Sequence, residues 1–269
     1  LGLGMDVTGV AIASVCAQWS GFLFMIWFIN RPQSKIGVGH FLQLKLILAA
    51  LRDHAAYRRF FILGRDIFIR TALLVLCEAM VLNKAAKLGD LDLATCQLVL
   101  TLFGILAFAL DAFAYAAEAL VGEAIGKRNP ENLRIAIRRT NSLAAALALV
   151  IAAILWFGDT IILRLFTTQT ALIAHAHAHW LWACLLAPAS FLAFQLDGIF
   201  VGATRGQEMR NAMIVSASGL TVALLFSDAW GLHGLLAAFI GYLGLRGVSL
   251  WWHIDRVYAQ AGAPLQQHS

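Results

Sequence analysis

Seven stretches of about twenty mostly apolar residues recur along the 269-residue chain, near 7–29, 60–83, 94–124, 140–157, 172–203, 211–227 and 231–252. About twenty such residues are what an α-helix needs to cross the hydrocarbon core of a bilayer. Backbone N–H and C=O groups cannot be left unpaired in lipid, so each stretch must be helical. The expected fold is therefore all-α, a polytopic integral membrane protein with seven transmembrane helices. Composition agrees: 61% of residues are hydrophobic and 13% charged, against roughly 45–50% and 25% in soluble domains, which excludes a water-soluble globule. Cys16, Cys77, Cys96 and Cys184 lie inside apolar stretches without C-x-x-C spacing and read as small buried hydrophobes.

A net charge of +5 in a soluble protein would raise the question of nucleic acid, but here the cations lie between the apolar stretches, where membrane topology explains them. One set of alternate loops holds fourteen of the twenty Lys and Arg: six in 30–59, five in 127–139, then Arg205, Arg210 and Arg256. The other set holds Lys84, Lys87 and Arg164, and Arg65, Arg70 and Arg246 lie within spans. Positive loops stay inside, so the C-terminus is expected in the cytoplasm and the N-terminus outside. The one long connection, 30–59, surrounds Phe41–Leu51, which is too short to span and carries Lys45, and so is expected to lie as an amphipathic helix in the interface. With an outside N-terminus, an odd span count, no leading Met and no basic n-region, nothing explains insertion of the first span. The chain is expected to be the back part of something longer.

Small residues at helical spacing, Gly9 and Ala13 in the first span and Gly241, Gly244 and Gly247 in the last, predict close helix approach there. Pro188 lies mid-span and must free the carbonyl of Cys184 from its helical bond, which makes it the candidate hinge.

Ionisable side chains inside spans carry the functional information, because each costs about 2.5–3.5 kcal/mol at mid-bilayer on the insertion scale. Asp66 and Arg70 are four apart and are expected to pair along one helix face. Glu78 lies about one turn from the outer surface. Asp111 falls near the midplane and shares a seven-residue stripe with Gly104 and Glu118, while Asp197 lies toward the cytoplasmic half of the Pro-bearing span. Burial raises a carboxyl's pKa and a nearby Arg lowers it. A carboxylate without a basic neighbour could therefore exchange protons or hold sodium, and Asp111 and Asp197 read either as such groups or as hydrogen-bonding links between helices. Of His175, His177 and His179 only the first and third share a face, and two ligands fall short of a metal site; no metal is expected.

The run Asp111-Ala-Phe-Ala-Tyr-Ala-Ala-Glu-Ala-Leu-Val-Gly-Glu-Ala-Ile-Gly126 with its basic loop Lys127–Arg139 resembles the eighth helix and following loop of the multidrug and toxic compound extrusion (MATE) transporters. Leu163-Arg-Leu-Phe-Thr167 and Leu196-Asp-Gly-Ile-Phe-Val-Gly-Ala-Thr-Arg205 are similar to the segments around that family's ninth and tenth helices, and Gly64-Arg-Asp-Ile-Phe-Ile-Arg-Thr71 to the seventh helix of its DinF-like branch, named for DNA-damage inducibility. The resemblance covers roughly residues 1–258.

It implies a twelve-helix fold of two six-helix lobes around a central cavity. On that alignment 1–29 is the last helix of the N-lobe, 30–59 the cytoplasmic inter-lobe linker, 60–258 the six-helix C-lobe and 259–269 a tail. The implied function is efflux of drugs or other organic, often cationic, compounds across the bacterial inner membrane. It would proceed by alternating access in exchange for a proton or sodium ion, with no other cofactor and no enzymatic step. The N-lobe aspartate thought to couple transport in the DinF-like branch has no counterpart here, leaving Asp111, Asp197, Asp66, Arg70, Glu78 and Glu118 as pathway candidates. The implied partners are the lipid bilayer, a small organic substrate and the N-terminal lobe, without which transport is not expected; nucleic acid is not among them. The alternatives are a lipid-linked precursor flippase of the same superfamily, which would show more cavity cations than Arg65, Arg70 and Arg246, and a non-transporting assembly partner. Enzyme readings fail on spacing: Asp197-Gly lacks the further aspartates of a headgroup transferase, and Ser216-Ala-Ser218-Gly219 lacks the first glycine of an intramembrane protease.

Overall fold

The computed structural model describes residues 7–29 and 54–262. The chain divides into two compact units, Leu1–Phe60 and Phe61–Ser269. In the first, helix α1 (Val7–Ile29) is apolar around its whole circumference, the pattern of a helix meant for lipid or protein on all sides. Every side chain from Ala11 to Phe28 is exposed within this unit, Cys16 included, which corrects the expectation of a buried thiol there. The interfacial helix expected over 41–51 lies outside the described residues.

The second unit is an assembly of helices with α7 at its centre. α2 (His54–Leu88) enters it at Phe61, and Gly89, at φ 141, turns the chain into α3 (Asp90–Gly126). Asp90 and Asp92 sit in the first turn of α3, where the helix dipole favours negative charge. Arg128, at φ 50, closes that helix, and Asn129 opens α4 (Pro130–Phe157). The Asn129 side chain accepts the Asn132 N–H at 2.9 Å, and Pro130 takes the first helical position, where no N–H is needed. Two short helices follow, α5 (Asp159–Phe166) and α6 (Thr170–Ala178), then α7 (Trp180–Gly202) and α8 (Gly206–Phe226). A 3-10 turn, Ser227–Trp230, leads to α9 (Gly231–Trp251) and the terminal α10 (Asp255–Gly262). There is no strand among the described residues.

Each of the seven expected spans falls on helix, yet length and apolarity alone mark five candidate crossings among the described residues. α8 and α9 lie together in the last, Gly206–Gly262, and α2 is not among them because it carries Arg65, Asp66, Arg70, Glu78 and Lys84 within the apolar run. The expected single span 172–203 is instead broken at His179. The cause is local: the His179 ring Nδ1 bonds the His175 carbonyl at 2.9 Å, while the His179 backbone N–H goes to Ala176 at 3.1 Å. Pro188 lies inside α7, nine residues beyond this break.

α7 packs on α3, α4 and α9, with Leu186, Leu196, Ile199 and Phe200 fully buried. In lipid, helices associate through close packing more than through the hydrophobic effect, and small residues allow it. The tightest approach is between α7 and α3: a Cβ on Gly198 would lie 2.1 Å from the Ala114 carbonyl oxygen, and one on Gly202 would lie 2.4 Å from that of Glu118. Gly241 and Gly244, expected to be packing positions, face open space, and of that series only Gly247 is close to a neighbour, at 3.2 Å from the Ala193 nitrogen. Spacing identified the residue type but not the face that α9 turns inward.

Candidate functional site

α2, α7 and α9 bring three charged side chains together in the interior. Arg70 and Arg246 each donate an Nη2 hydrogen to the same oxygen, Oδ2 of Asp197. Arg246 is 1% exposed and Asp197 7%, while Arg70 is half-buried, so the carboxylate is the counter-ion that makes the buried Arg246 guanidinium tolerable. Their satisfaction is incomplete: Oδ1 of Asp197, Nε of Arg70 and Nη1 of Arg246 have no hydrogen-bond partner among the described residues. The Phe194 ring, with its centroid 5.8 Å from the Arg246 guanidinium carbon, supplies a cation–π contact on another side.

Half-buried Asp111 on α3 lies in the field of Asp197, Arg70 and Arg246, and half-buried Glu78 on α2 in that of Arg246. The group thus holds two guanidiniums and three carboxyls. Asp66 does not pair with Arg70 as its i+4 spacing predicts. Fully buried, it accepts instead from its neighbour Arg65 at 3.0 Å and from Arg210 of α8 at 2.8 Å. A second ion cluster, Glu208 with Arg205 and Arg256, ties α8 to α10. Glu118 makes no ion pair among the described residues; its backbone forms the floor under Gly202.

At the opposite end three imidazoles lie against one another at tilted angles. His179 lies 4.7 Å from His175 and 4.2 Å from His233, centroid to centroid. His175 Nε2 meets Asp92 at 2.8 Å, and Trp182 donates to His233 Nδ1 at 3.0 Å. His177 points elsewhere, to Asp159 at 2.8 Å. That aspartate, the first residue of α5, is held below the usual carboxyl range first by the Thr160 backbone N–H and then by the Thr160 hydroxyl. An apolar cleft of about 420 Å³ between α8 and α9, bordered by Phe226, Trp230 and Tyr242, holds no charged side chain.

Sequence reasoning named Asp197, Arg70 and Asp111 without placing them together, and it left Arg246 out of the site. The available signal was an arginine in an apolar span with no acid on its own helix to neutralise it.

Helices of this length and apolarity around a buried ion cluster define a multi-pass membrane protein. The MatE family model matches residues 67–227, and the chain belongs to that family, as its motifs led us to expect. It is 33% identical over 250 residues to DNA damage-inducible protein F of Escherichia coli K12, covering 93% of this chain and 53% of that protein. It is 24% identical over 251 residues to Protein DETOXIFICATION 42 of Arabidopsis thaliana, covering 93% and 46%. The fold is that of a MOP superfamily transporter from Pyrococcus furiosus, with TM-score 0.62, 16% identity, and coverage of 71% of this chain and 43% of the other. The chain spans about half the length of the curated relatives it matches. These findings do not favour the flippase alternative.

Proposed function

We propose that the chain supplies the C-terminal lobe of a secondary carrier that expels organic cations across a bacterial inner membrane in exchange for protons or sodium ions. Asp111 would be the exchanging carboxyl. The observation that carries this reading is the charge count around Asp197. Two guanidiniums against three carboxyls leave the group neutral when one carboxyl holds a proton and singly negative when none does, and only the second state attracts a cation. Asp197 is engaged by both arginines, so the exchangeable proton falls to Asp111 or Glu78, and Asp111 lies closer to mid-helix on α3. A bound cationic substrate and a proton then compete for one negative charge, which is what obliges exchange. Pro188, in the helix that carries Asp197, serves as the flexible point, and Asp66 with Arg65 and Arg210 anchors the cytoplasmic end. The partners are the bilayer, the organic substrate and an N-terminal lobe completing the cavity; the C-terminus lies in the cytoplasm.

The test is dye efflux from bacteria expressing the chain alone or joined to an N-terminal lobe. The chain alone gives no efflux; the joined form expels a cationic dye, and Asp111→Asn removes that activity at unchanged membrane abundance. Undiminished efflux by the Asn variant would refute the role of Asp111.

A further inference from the structure

The first turns of α4 carry cations that the candidate site does not use. Ile135, Arg138, Arg139, Ser142 and Leu143, at helical spacing on one face, are all exposed. At 1.5 Å per residue the nineteen positions from Arg138 to Phe157 span about 28 Å, close to the ~30 Å hydrocarbon core. Trp156 and Phe157, 60% and 84% exposed, mark one edge of that core. Arg138 and Arg139 then stand at the other edge, at the depth of the lipid phosphates.

Neither arginine has an ion-pair partner among the described residues, whereas nearby Lys127 is neutralised by Glu123 at 2.5 Å. Two shallow clefts meet at Ile135 and Arg139: one of about 290 Å³ reaching to Leu120 on α3, the other of about 560 Å³ reaching to Arg138, Ser142 and Leu143. Toward the bilayer centre the same face continues as exposed Leu143, Leu149 and Val150. Unpaired cations at phosphate depth, a concave surface and an apolar strip leading inward match the three parts of one ligand class.

We infer that this face of α4 binds an anionic phospholipid of the leaflet on the side of the basic loops, with Arg138 and Arg139 holding the phosphodiester and an acyl chain lying along Leu143, Leu149 and Val150. A zwitterionic lipid brings its own cation against the same arginines, and a soluble phosphate has nothing for the apolar strip. The inference does not depend on the transport reading, since it concerns the lipid-facing side of the fold.

The experiment is native mass spectrometry of the full chain in a neutral detergent, titrated with dioleoyl phosphatidylglycerol, with dioleoyl phosphatidylcholine, and with glycerol phosphate as competitor. The wild-type chain retains phosphatidylglycerol in preference to phosphatidylcholine. Arg138→Gln with Arg139→Gln weakens retention about thirtyfold, at about fivefold per surface cation. The doubly Lys-substituted chain, which keeps the charge, stays within about threefold of wild type. Leu143→Gln, one turn deeper, lowers retention without touching a charge and gives a second reading. Lys87→Gln with Arg164→Gln, the same charge change at the far end, has no effect. The inference is overturned if phosphatidylcholine is held equally well, if the double Gln variant binds like wild type, if the far-end pair loses as much, or if glycerol phosphate displaces the lipid at equal concentration.

Discussion

Gly198→Ala adds one methyl group at the closest approach of α7 to α3. The new Cβ would lie 2.1 Å from the Ala114 carbonyl oxygen, where ordinary contact begins at 3.4 Å, so the two backbones must separate by about 1.3 Å. The obstruction is backbone on a buried helix and has no rotamer that could swing away. Overpacking of this kind costs about 1–3 kcal/mol, and the upper half of that range applies because Gly202, one turn on, is also held close against Glu118. Gly241→Ala is the internal control: nothing lies within 4 Å of its Cβ, and alanine in mid-helix gains up to about 1 kcal/mol over glycine. The chain carries its own probe, since Cys77, Cys96 and Cys184 are buried. In a Cys16→Ser background a thiol-reactive fluorophore in detergent therefore reports unfolding. At about 2–4 °C per kcal/mol for a chain of this size, Gly198→Ala lowers the midpoint by about 4–12 °C and Gly241→Ala leaves it unchanged or raised. Equal midpoints for Gly198→Ala and wild type would refute the close-crossing account of α3 and α7.

Removing the shared counter-ion, Asp197→Ala, strands the buried Arg246 guanidinium beside half-buried Arg70 and costs about 3–5 kcal/mol; adding Arg246→Met recovers part of that loss, and a double-mutant cycle by the same thermal assay measures the coupling. Asn129→Ala removes the α4 cap and costs about 1 kcal/mol, seen as a smaller midpoint shift. The Asp159 carboxyl is depressed in the folded chain, so its contribution is present at neutral pH, above its unfolded value, and is lost as the pH falls through its depressed value; Asp159→Asn abolishes that acid-side dependence when midpoints are compared between pH 5 and pH 2.

Much of the fold is legible in the sequence because a membrane helix announces itself by length and apolarity alone. What was not legible depends on three-dimensional choices. The break at His179 arises from a ring nitrogen competing for a carbonyl, and nothing in the apolar run around it betrays that competition. Spacing could offer Arg70 only its helix neighbour Asp66, whereas its partner Asp197 is 127 positions away. Glycine spacing on α9 was as regular as on α7, but Gly198 and Gly202 both press on another backbone, whereas of Gly241, Gly244 and Gly247 only the last comes near one. The candidate carboxyls were each visible as charges out of place, while the pairing of Asp197 with a second arginine required Arg246 from α9.

The most direct test of the central proposal is ion counterflow in proteoliposomes containing the chain joined to an N-terminal lobe, with cationic dye movement and internal pH or sodium followed together. Dye movement accompanied by opposite movement of protons or sodium, with both lost in Asp111→Asn, is the predicted result. Dye movement with no counterflow, or counterflow that persists in the variant, would contradict it.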